Sequence, residues 1–446
     1  MDLTTGKIGE HIRRLAIPTS IGFFFNTMYN VVDTVFAGLI STEALAALSI
    51  SFPAFFIMIA FVNGLATGAS ALISNAIGSG DEWEAEKISA QILVFSAITY
   101  FVILPFCLAI SPILFRFLGA EGDYLKMAVT YMNIIFKGSL FFMLLYSANA
   151  ILMSHGNTKV IRNYLVGGFF LNAFLDPWFI FGGFGLPPMG FAGVAVATVL
   201  VMLIGWVYIF WEVIRAGHLS RVTFWDFIPS PTYFSAIAKQ SIPASLNMMT
   251  IGTGIFVITY FVKNFGHKAV AAYGICMRIE QIILLPTIGL TVAALSIIGQ
   301  NNGAGRFDRI RETIQKSLNW GFMVIAVGSV FMFFIPRYLM RVFTSDAEVI
   351  AIGVDYLKIA AFTAGAYVVL AVNVSALQGM KRPAYPLVLG ILRQLIVPVT
   401  VFHLLTVNLH LGIQSIWGGI FSINWMAAFF TYFYCRYVLK HAQNTD

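Results

Sequence analysis

Three polar residues at helical spacing lie in an otherwise apolar stretch near the N-terminus. The segment NTMYNVVDTVFAG (26–38) contains Asn26, Asn30 and Asp33, which are four and three positions apart and therefore share one face of a helix. A carboxylate at the centre of a bilayer costs at least about 2.5–3.5 kcal/mol on insertion scales, so an acid inside a membrane span indicates a functional site. We predict that Asp33 belongs to such a site.

A second acid follows a similar pattern in the apolar stretch 162–181. Asn172 and Asp176 are one helical turn apart, and Pro177 removes a helical hydrogen bond, which frees the carbonyl of Ala173. A carboxylate, an amide oxygen and a spare carbonyl form a hard-oxygen site, which suits Na⁺ or a carboxylate that holds a proton. The pattern favours a cation-binding role for this pair.

The depth of these residues in the membrane predicts which of them meet. Counted at about 1.5 Å per residue from the flanking charges, four side chains reach a similar level in the outer half of the first bundle: Asp33, Tyr131, Asp176 and Thr198. We predict that they surround one site for Na⁺ or H⁺. Two alternatives stay open: a structural ion pair between Asp33 and Lys137, which also lies within a span, and a purely helix-joining role for Asn172.

Arg278 and Glu280 are secondary candidates in the second half of the chain. They are two positions apart, so they do not share a helix face. Structural pairing with neighbouring residues explains them as well as a role in transport does.

Composition places the chain in the membrane. Of its 446 residues 59% are hydrophobic and only 11% are charged, against about 25% charged in soluble domains. Cutting at Gly, Pro and charge clusters predicts twelve spans: 14–38, 45–77, 88–111, 124–152, 162–181, 190–213, 242–263, 270–299, 312–335, 348–376, 386–406 and 413–436. The basic residues fall in short loops between the spans, which indicates topology determinants rather than nucleic-acid binding.

The distribution of Lys and Arg predicts the orientation. With the N-terminus inside, eighteen of the 27 basic residues fall on inner segments, Arg393 being counted with the loop before its span. Six fall on outer loops and three within spans. This excess predicts that both termini are cytoplasmic, in a multi-pass protein of the cell's inner (plasma) membrane.

The two halves of the chain repeat each other. A shift of 225 positions brings RLAIPTS (14–20) onto KQSIPAS (239–245), and ALAALSI (44–50) onto AVAAYGI (269–275). The sequence therefore predicts an all-α membrane fold with twelve transmembrane helices in two six-helix bundles, related by a pseudo-two-fold axis along the membrane normal. The predicted parts are an N-terminal bundle (1–213), a cytoplasmic linker (214–241) and a C-terminal bundle (242–446).

Several absences bear on the energy source. The phosphate-loop pattern GxxxxGK[ST] does not occur, and the seven His residues lack metal-ligand spacing. We therefore predict a secondary transporter rather than an enzyme, without a cofactor, driven by an ion gradient. The expected partners are small molecules and the lipid bilayer, with no nucleic acid, and the expected state is a monomer.

The sequence resembles the multidrug and toxic compound extrusion (MATE) transporters over nearly its whole length. The motifs that carry the resemblance are IPTSIGFFFNTMYNVVDTVFAG, GSGDEWEAEK, HGNTK, LNAFLDPWFIFGGFG, GFAGVAVAT and GQNNGAG, in this order. The DinF-like branch is favoured, because the tenth-span acid of the NorM-like branch falls near Tyr367 and the seventh span (242–263) has no Asp or Glu.

The resemblance implies export of cationic amphipathic compounds by antiport with H⁺ or Na⁺. It places the ion site on Asp33, Asn172, Asp176 and Thr198, with Tyr131 close by. It places substrate contacts on Asn26, Asn149 and Met202. Asn30 is added to the substrate contacts because it lies on the polar face of the first span. Alternative functions are a lipid-linked oligosaccharide flippase of the same superfamily and a major-facilitator carrier. The acidic loop GSGDEWEAEK and the few basic residues within spans disfavour both.

Overall fold

The chain is helical almost throughout. The computed structural model describes residues 1–183 and 185–443, in which the only β-structure is an isolated bridge between Gly183 and Leu186. The first half contains α1 (Ile8–Ile40), α2 (Thr42–Gly78), α3 (Glu82–Phe117), α4 (Gly122–Ser154), α5 (Lys159–Phe181) and α6 (Phe191–Arg215). The second half contains α7 (Pro231–Val262), α8 (His267–Gly303), α9 (Phe307–Phe334), α10 (Pro336–Arg341), α11 (Ala347–Gly379), α12 (Ala384–Ile391), α13 (Val397–His403) and α14 (Ile413–Ala442).

Each predicted span falls on one of these helices. Eleven helical stretches of the described residues are long and apolar enough to cross a membrane, and α14, of 30 residues, covers the twelfth predicted span. The π-helical segment Leu392–Ile396 joins α12 to α13, and a second one, Leu404–Asn408, follows α13, so that these elements form one stretch, Ala384–Asn408. The predicted all-α membrane fold is confirmed.

The count of basic residues assigns Arg393 to a loop, and the structure shows that this assignment is wrong. It lies in the π-helical segment Leu392–Ile396, well inside the stretch Ala384–Asn408. The assignment was wrong because the basic pair Lys381 and Arg382 precedes this span closely, and Arg393 was grouped with them. An arginine at this depth needs a separate explanation.

One compact unit of the fold consists of Met1 and residues 21–245. Within it, α4 is the central helix and packs against α2, α3 and α6. Glycines permit this close approach: a Cβ at Gly138 of α4 would collide with Val199 of α6, and one at Gly205 of α6 would collide with the ring of Tyr164. The start of α7 belongs to this unit, because Ser245 lies against the backbone of Gly64 in α2.

The other compact unit consists of residues 2–20 and 246–446. Its central helix is α11, which packs against α8, α9 and α14. Hydrogen bonds fasten the N-terminal segment to α8: the Leu3 N–H donates to Gln300 Oε1 at 2.9 Å, and Asn301 Nδ2 donates to the Leu3 carbonyl at 3.1 Å. A Cβ at Gly289 of α8 would meet the carbonyl of Ala16, so the first turns of α1 also pack here.

The compact units differ from the predicted domains at both ends of the first bundle. The prediction assigned residues 1–213 to the N-terminal bundle and began the C-terminal bundle at 242. In the structure residues 2–20 cluster with the second unit, and 214–245 cluster with the first. The internal repeat shows which segments of sequence are duplicated. The compact units instead depend on where residues 2–20 and 214–245 pack.

The predicted linker is anchored to α3. Glu86 Oε2 accepts a hydrogen bond from the backbone N–H of Arg221 at 2.6 Å. Gln91 Nε2 donates to the carbonyls of Asp226 at 2.6 Å and Ile228 at 2.7 Å. Glu86 of the acidic motif GSGDEWEAEK and Gln91, four residues after that motif, therefore hold the linker in place.

Two stacked histidines lie at the ends of helices in the first unit. His155 follows the last residue of α4, His218 follows α6, and their ring centroids are 3.6 Å apart. The N-terminal amine donates to the carbonyl of His155 at 2.9 Å. The pKa of each ring is lowered to about 4, mainly by burial and in smaller part by the nearby positive N-terminus.

We expect this histidine pair to make stability depend on pH below about 6.5, the ordinary His pKa. Because the pKa values are lowered in the folded state, the unfolded chain binds more protons, so the stabilisation present above pH 6.5 is lost as the pH falls toward 4. His218→Gln should weaken this dependence, measured as the melting temperature in detergent from pH 7.5 to 4.5. His267→Gln, at the exposed first position of α8, is the control. Equal pH slopes in wild type and His218→Gln would contradict the prediction.

Candidate cation site

Two acids from different helices share one amide in the first unit. Asn172 Nδ2 donates to Asp33 Oδ1 at 2.7 Å and to Asp176 Oδ2 at 2.9 Å. Asp33 lies on α1, whereas Asn172 and Asp176 lie one turn apart on α5. The acids, which are 143 positions apart in sequence, therefore form one hydrogen-bonded group.

This group is almost completely excluded from solvent. Asp33 is 6% exposed, and Asn172 and Asp176 are fully buried. Among the described residues, no Lys, Arg or His forms a salt bridge with either acid. Since an isolated buried carboxylate is very unfavourable, two neighbouring acids without a basic partner require a bound cation or protons.

Three oxygens at this group have no hydrogen-bond partner among the described residues. They are the second side-chain oxygen of Asn172 (Oδ1), the second carboxylate oxygen of Asp176 (Oδ1) and the hydroxyl of Thr198 (Oγ1), all buried. Buried polar atoms are nearly always paired, so each exception needs an explanation. Carboxylate, amide and hydroxyl oxygens are the donors that a hard cation prefers, and the set fits Na⁺ or transferable protons.

Close helix packing brings Thr198 to the acids. A Cβ at Gly193 of α6 would collide with the backbone of Phe179 in α5, so α5 and α6 pack closely there. Thr198, five positions after Gly193, is 3% exposed. Tyr29, which adjoins Thr198 and interacts with both acids, indicates that the threonine hydroxyl lies near them.

Two tyrosines border the acids. Tyr131 of α4 is buried and stacks on Phe191 at a centroid distance of 4.9 Å, and it is close enough to interact electrostatically with Asp33 and Asp176. Tyr29 of α1 interacts with the same acids and adjoins Thr198. The sequence reasoning missed Tyr29, although it lies four positions before Asp33, on the same helix face.

The predicted substrate residues do not join this group. Asn30 is exposed, and its amide donates to the carbonyl of Asn26 at 2.9 Å, while Asn26 itself is half-buried. Asn149 and Met202 are buried. Asn149 Nδ2 lies 3.0 Å from the sulfur of Met153 in its own helix, and Met202 belongs to the hydrophobic cluster formed around α2, α3 and α4.

The secondary candidates separate into exposed and buried residues. Lys137 is exposed and forms no salt bridge with Asp33, so the structure does not contain the alternative ion pair. In α8, Arg278 is exposed whereas Glu280 is 5% exposed. The hydroxyl of Tyr356 donates to Glu280 Oε2 at 3.0 Å. Neither residue lies in the unit that contains Asp33.

A protein-family comparison bears on the identity of this helical fold. The family model MatE matches residues 18–178 and 243–402, which together cover most of both halves. The chain belongs to the MatE family. The predicted family is thereby confirmed, whereas the DinF-like branch stays a prediction.

Characterised and named relatives of this MatE protein cover most of its length. A probable multidrug resistance protein NorM of Thermotoga maritima is 27% identical over 93% of this chain and 89% of its own. An FAD transporter of Shewanella oneidensis is 27% identical over 88% and 86%. The multidrug export protein MepA of Staphylococcus aureus is 26% identical over 77% and 75%.

Solved structures agree with the MatE assignment. A MOP superfamily transporter from Pyrococcus furiosus, described as having a binding pocket of reversed polarity that suggests a different function, superposes with a TM-score of 0.91. An outward-facing MATE multidrug resistance transporter gives the same score. Both are 25% identical to this chain and cover 99% of it and 98% of their own length. The protein is a multi-pass membrane transporter and not an enzyme.

Proposed function

We propose that this MatE protein is a secondary active multidrug efflux transporter, which exports cationic amphipathic compounds in exchange for H⁺ or Na⁺. The observation that carries the proposal is the buried group of Asp33, Asn172 and Asp176, with three oxygens left unpartnered beside it. The relatives named as multidrug resistance and export proteins support the same kind of transport.

The coupling step follows from the shared amide. Asn172 has only one amide group to offer both acids, so their remaining charge is balanced by an incoming cation or proton. Binding neutralises the two acids and changes the relative stability of the outward-open and inward-open states, since a ligand shifts an equilibrium only by its differential affinity. Release of a cationic drug on one side and of the ion on the other completes the exchange.

The remaining predictions are part of the same proposal. The transporter lies in the inner membrane as a monomer, with both termini cytoplasmic, as the excess of basic residues on the inner segments indicates. The coupling ion is H⁺ or Na⁺, and Thr198, Tyr131 and Tyr29 border its path. A lipid-linked oligosaccharide flippase is disfavoured, because few basic residues lie within spans.

Transport in proteoliposomes tests the coupling directly. We expect an imposed pH or Na⁺ gradient to drive movement of ethidium, a planar organic cation, and an ionophore that collapses that gradient to stop it. The gradient that drives transport identifies the ion. Ethidium transport that depends on neither gradient would contradict the proposal. Transport that depends on ATP would contradict it as well and would indicate a primary transporter.

A further inference from the structure

An arginine without an acidic partner lies inside a membrane-spanning stretch of the second unit. Arg393 occupies the π-helical segment Leu392–Ile396, nine residues after the start of α12, or roughly 14 Å along it at the usual rise. π-Helical segments inside α-helices occur frequently at functional sites. A charge at this depth is expensive, so it marks a candidate binding site.

Among the described residues, Arg393 has one hydrogen-bond partner. Arg393 Nη1 donates to Asn424 Oδ1 of α14 at 2.6 Å. Asn424 is held in place because its own Nδ2 donates to the Ile420 carbonyl at 2.7 Å. Within the described part of the chain, no carboxylate forms a salt bridge with Arg393, so most of the guanidinium N–H groups remain available.

Glu280, an acid of the same unit, does not neutralise this arginine. Tyr367 of α11 interacts electrostatically with both Arg393 and Glu280, and so lies between a positive and a negative group. Glu280 already accepts a hydrogen bond from Tyr356 and forms no salt bridge. The positive charge of Arg393 therefore has no counter-ion from the described protein.

Further polar groups surround the π-helical segment. A Cβ at Gly254 of α7 would collide with Gln394 Oε1, and one at Gly390 of α12 would meet Asn247 Oδ1. These two glycines let α7 pack closely against α12 and the π-helical segment, with the amide of Gln394 facing Gly254 and that of Asn247 facing Gly390. A guanidinium whose N–H groups are mostly available fits an oxyanion.

We propose that Arg393 binds an oxyanion, a carboxylate or phosphate, carried by an amphipathic substrate. Arg393 supplies the charge, Asn424 orients it, and Tyr367 lies close enough to interact with it electrostatically. The inference deepens the proposed export function, because the transporter then accepts zwitterionic and anionic compounds as well as cations. The inference depends on the proposed function for the direction of transport. Binding of the oxyanion at Arg393 does not depend on it.

A matched pair of dyes tests the subsite: a rhodamine with a free benzoic acid and its methyl ester, which share one cationic ring system. Fluorescence anisotropy with purified protein measures the affinity for each. We expect Arg393→Gln to weaken binding of the acid at least tenfold and to change binding of the ester less than twofold, while Arg393→Lys retains part of the preference. Arg436→Gln, which removes an exposed arginine of the same unit, is the control.

Several outcomes would overturn the subsite. They are a wild type that does not prefer the acid, an Arg393→Gln variant that loses both dyes equally, and a variant that loses neither. Displacement of the acid dye by phosphatidylglycerol would assign the site to a lipid and also overturn the inference. If binding follows the expected pattern but no ion gradient drives efflux, the coupling proposal fails and the subsite stands.

Discussion

Replacing Asp33 with Asn should lower gradient-driven efflux by about a hundredfold. The substitution keeps the shape of the side chain but removes one of the two buried charges that attract the coupling ion. An interaction with a charged group is worth about 1.5–3 kcal/mol, and about 1.4 kcal/mol corresponds to a factor of ten. Ethidium efflux from proteoliposomes under an imposed pH or Na⁺ gradient measures the effect.

The control for Asp33→Asn is Asp355→Asn. Asp355 also lies within a long apolar helix, α11, but it is exposed. We expect this variant to keep wild-type efflux. Unchanged efflux and unchanged ion dependence in Asp33→Asn would refute the assignment of Asp33 to coupling.

Asn172→Ala should reduce both stability and ion affinity. Asn172 is the only described residue that donates a hydrogen bond to both acids, so its loss leaves two buried carboxyl groups without that donor. Losing hydrogen bonds to charged groups costs about 1.5–3 kcal/mol, and we expect unfolding free energy to fall by this amount. The concentration of the coupling ion that gives half-maximal efflux should rise about tenfold.

A buried asparagine elsewhere provides the comparison for Asn172→Ala. Asn373 of α11 is 1% exposed, but its amide donates only to the Val369 carbonyl of its own helix, at 2.7 Å. Asn373→Ala should therefore leave the ion dependence unchanged. If both variants shift the ion dependence equally, the effect comes from general loss of packing rather than from the acids.

The sequence predicted the acids well because their signals are local. Spacing of four residues placed Asn172 and Asp176 on one face, and a count of helical rise placed Asp33 at their depth. The structure joins all three side chains. The role of these residues in coupling is still a prediction that the variants above address.

Other features depend on contacts that no local pattern shows. Asn30 shares the spacing of Asp33, yet it is exposed and its amide donates to the carbonyl of Asn26 one turn earlier. Arg393 was missed because proximity to Lys381 and Arg382 suggested a loop. Its depth becomes visible only once the helix is known to start at Ala384 and continue through the π-helical segment.

The exchanged ends of the two compact units limit how this protein can be divided. A fragment that stops at residue 213 would lack Ser241 and Ser245, which fill the space beside Gly68 and Gly64. The complementary fragment would lack Leu3, whose backbone bonds to Gln300 and Asn301. A half cut at residue 213 should therefore be unstable when expressed separately, because each fragment lacks a segment that packs within its own compact unit.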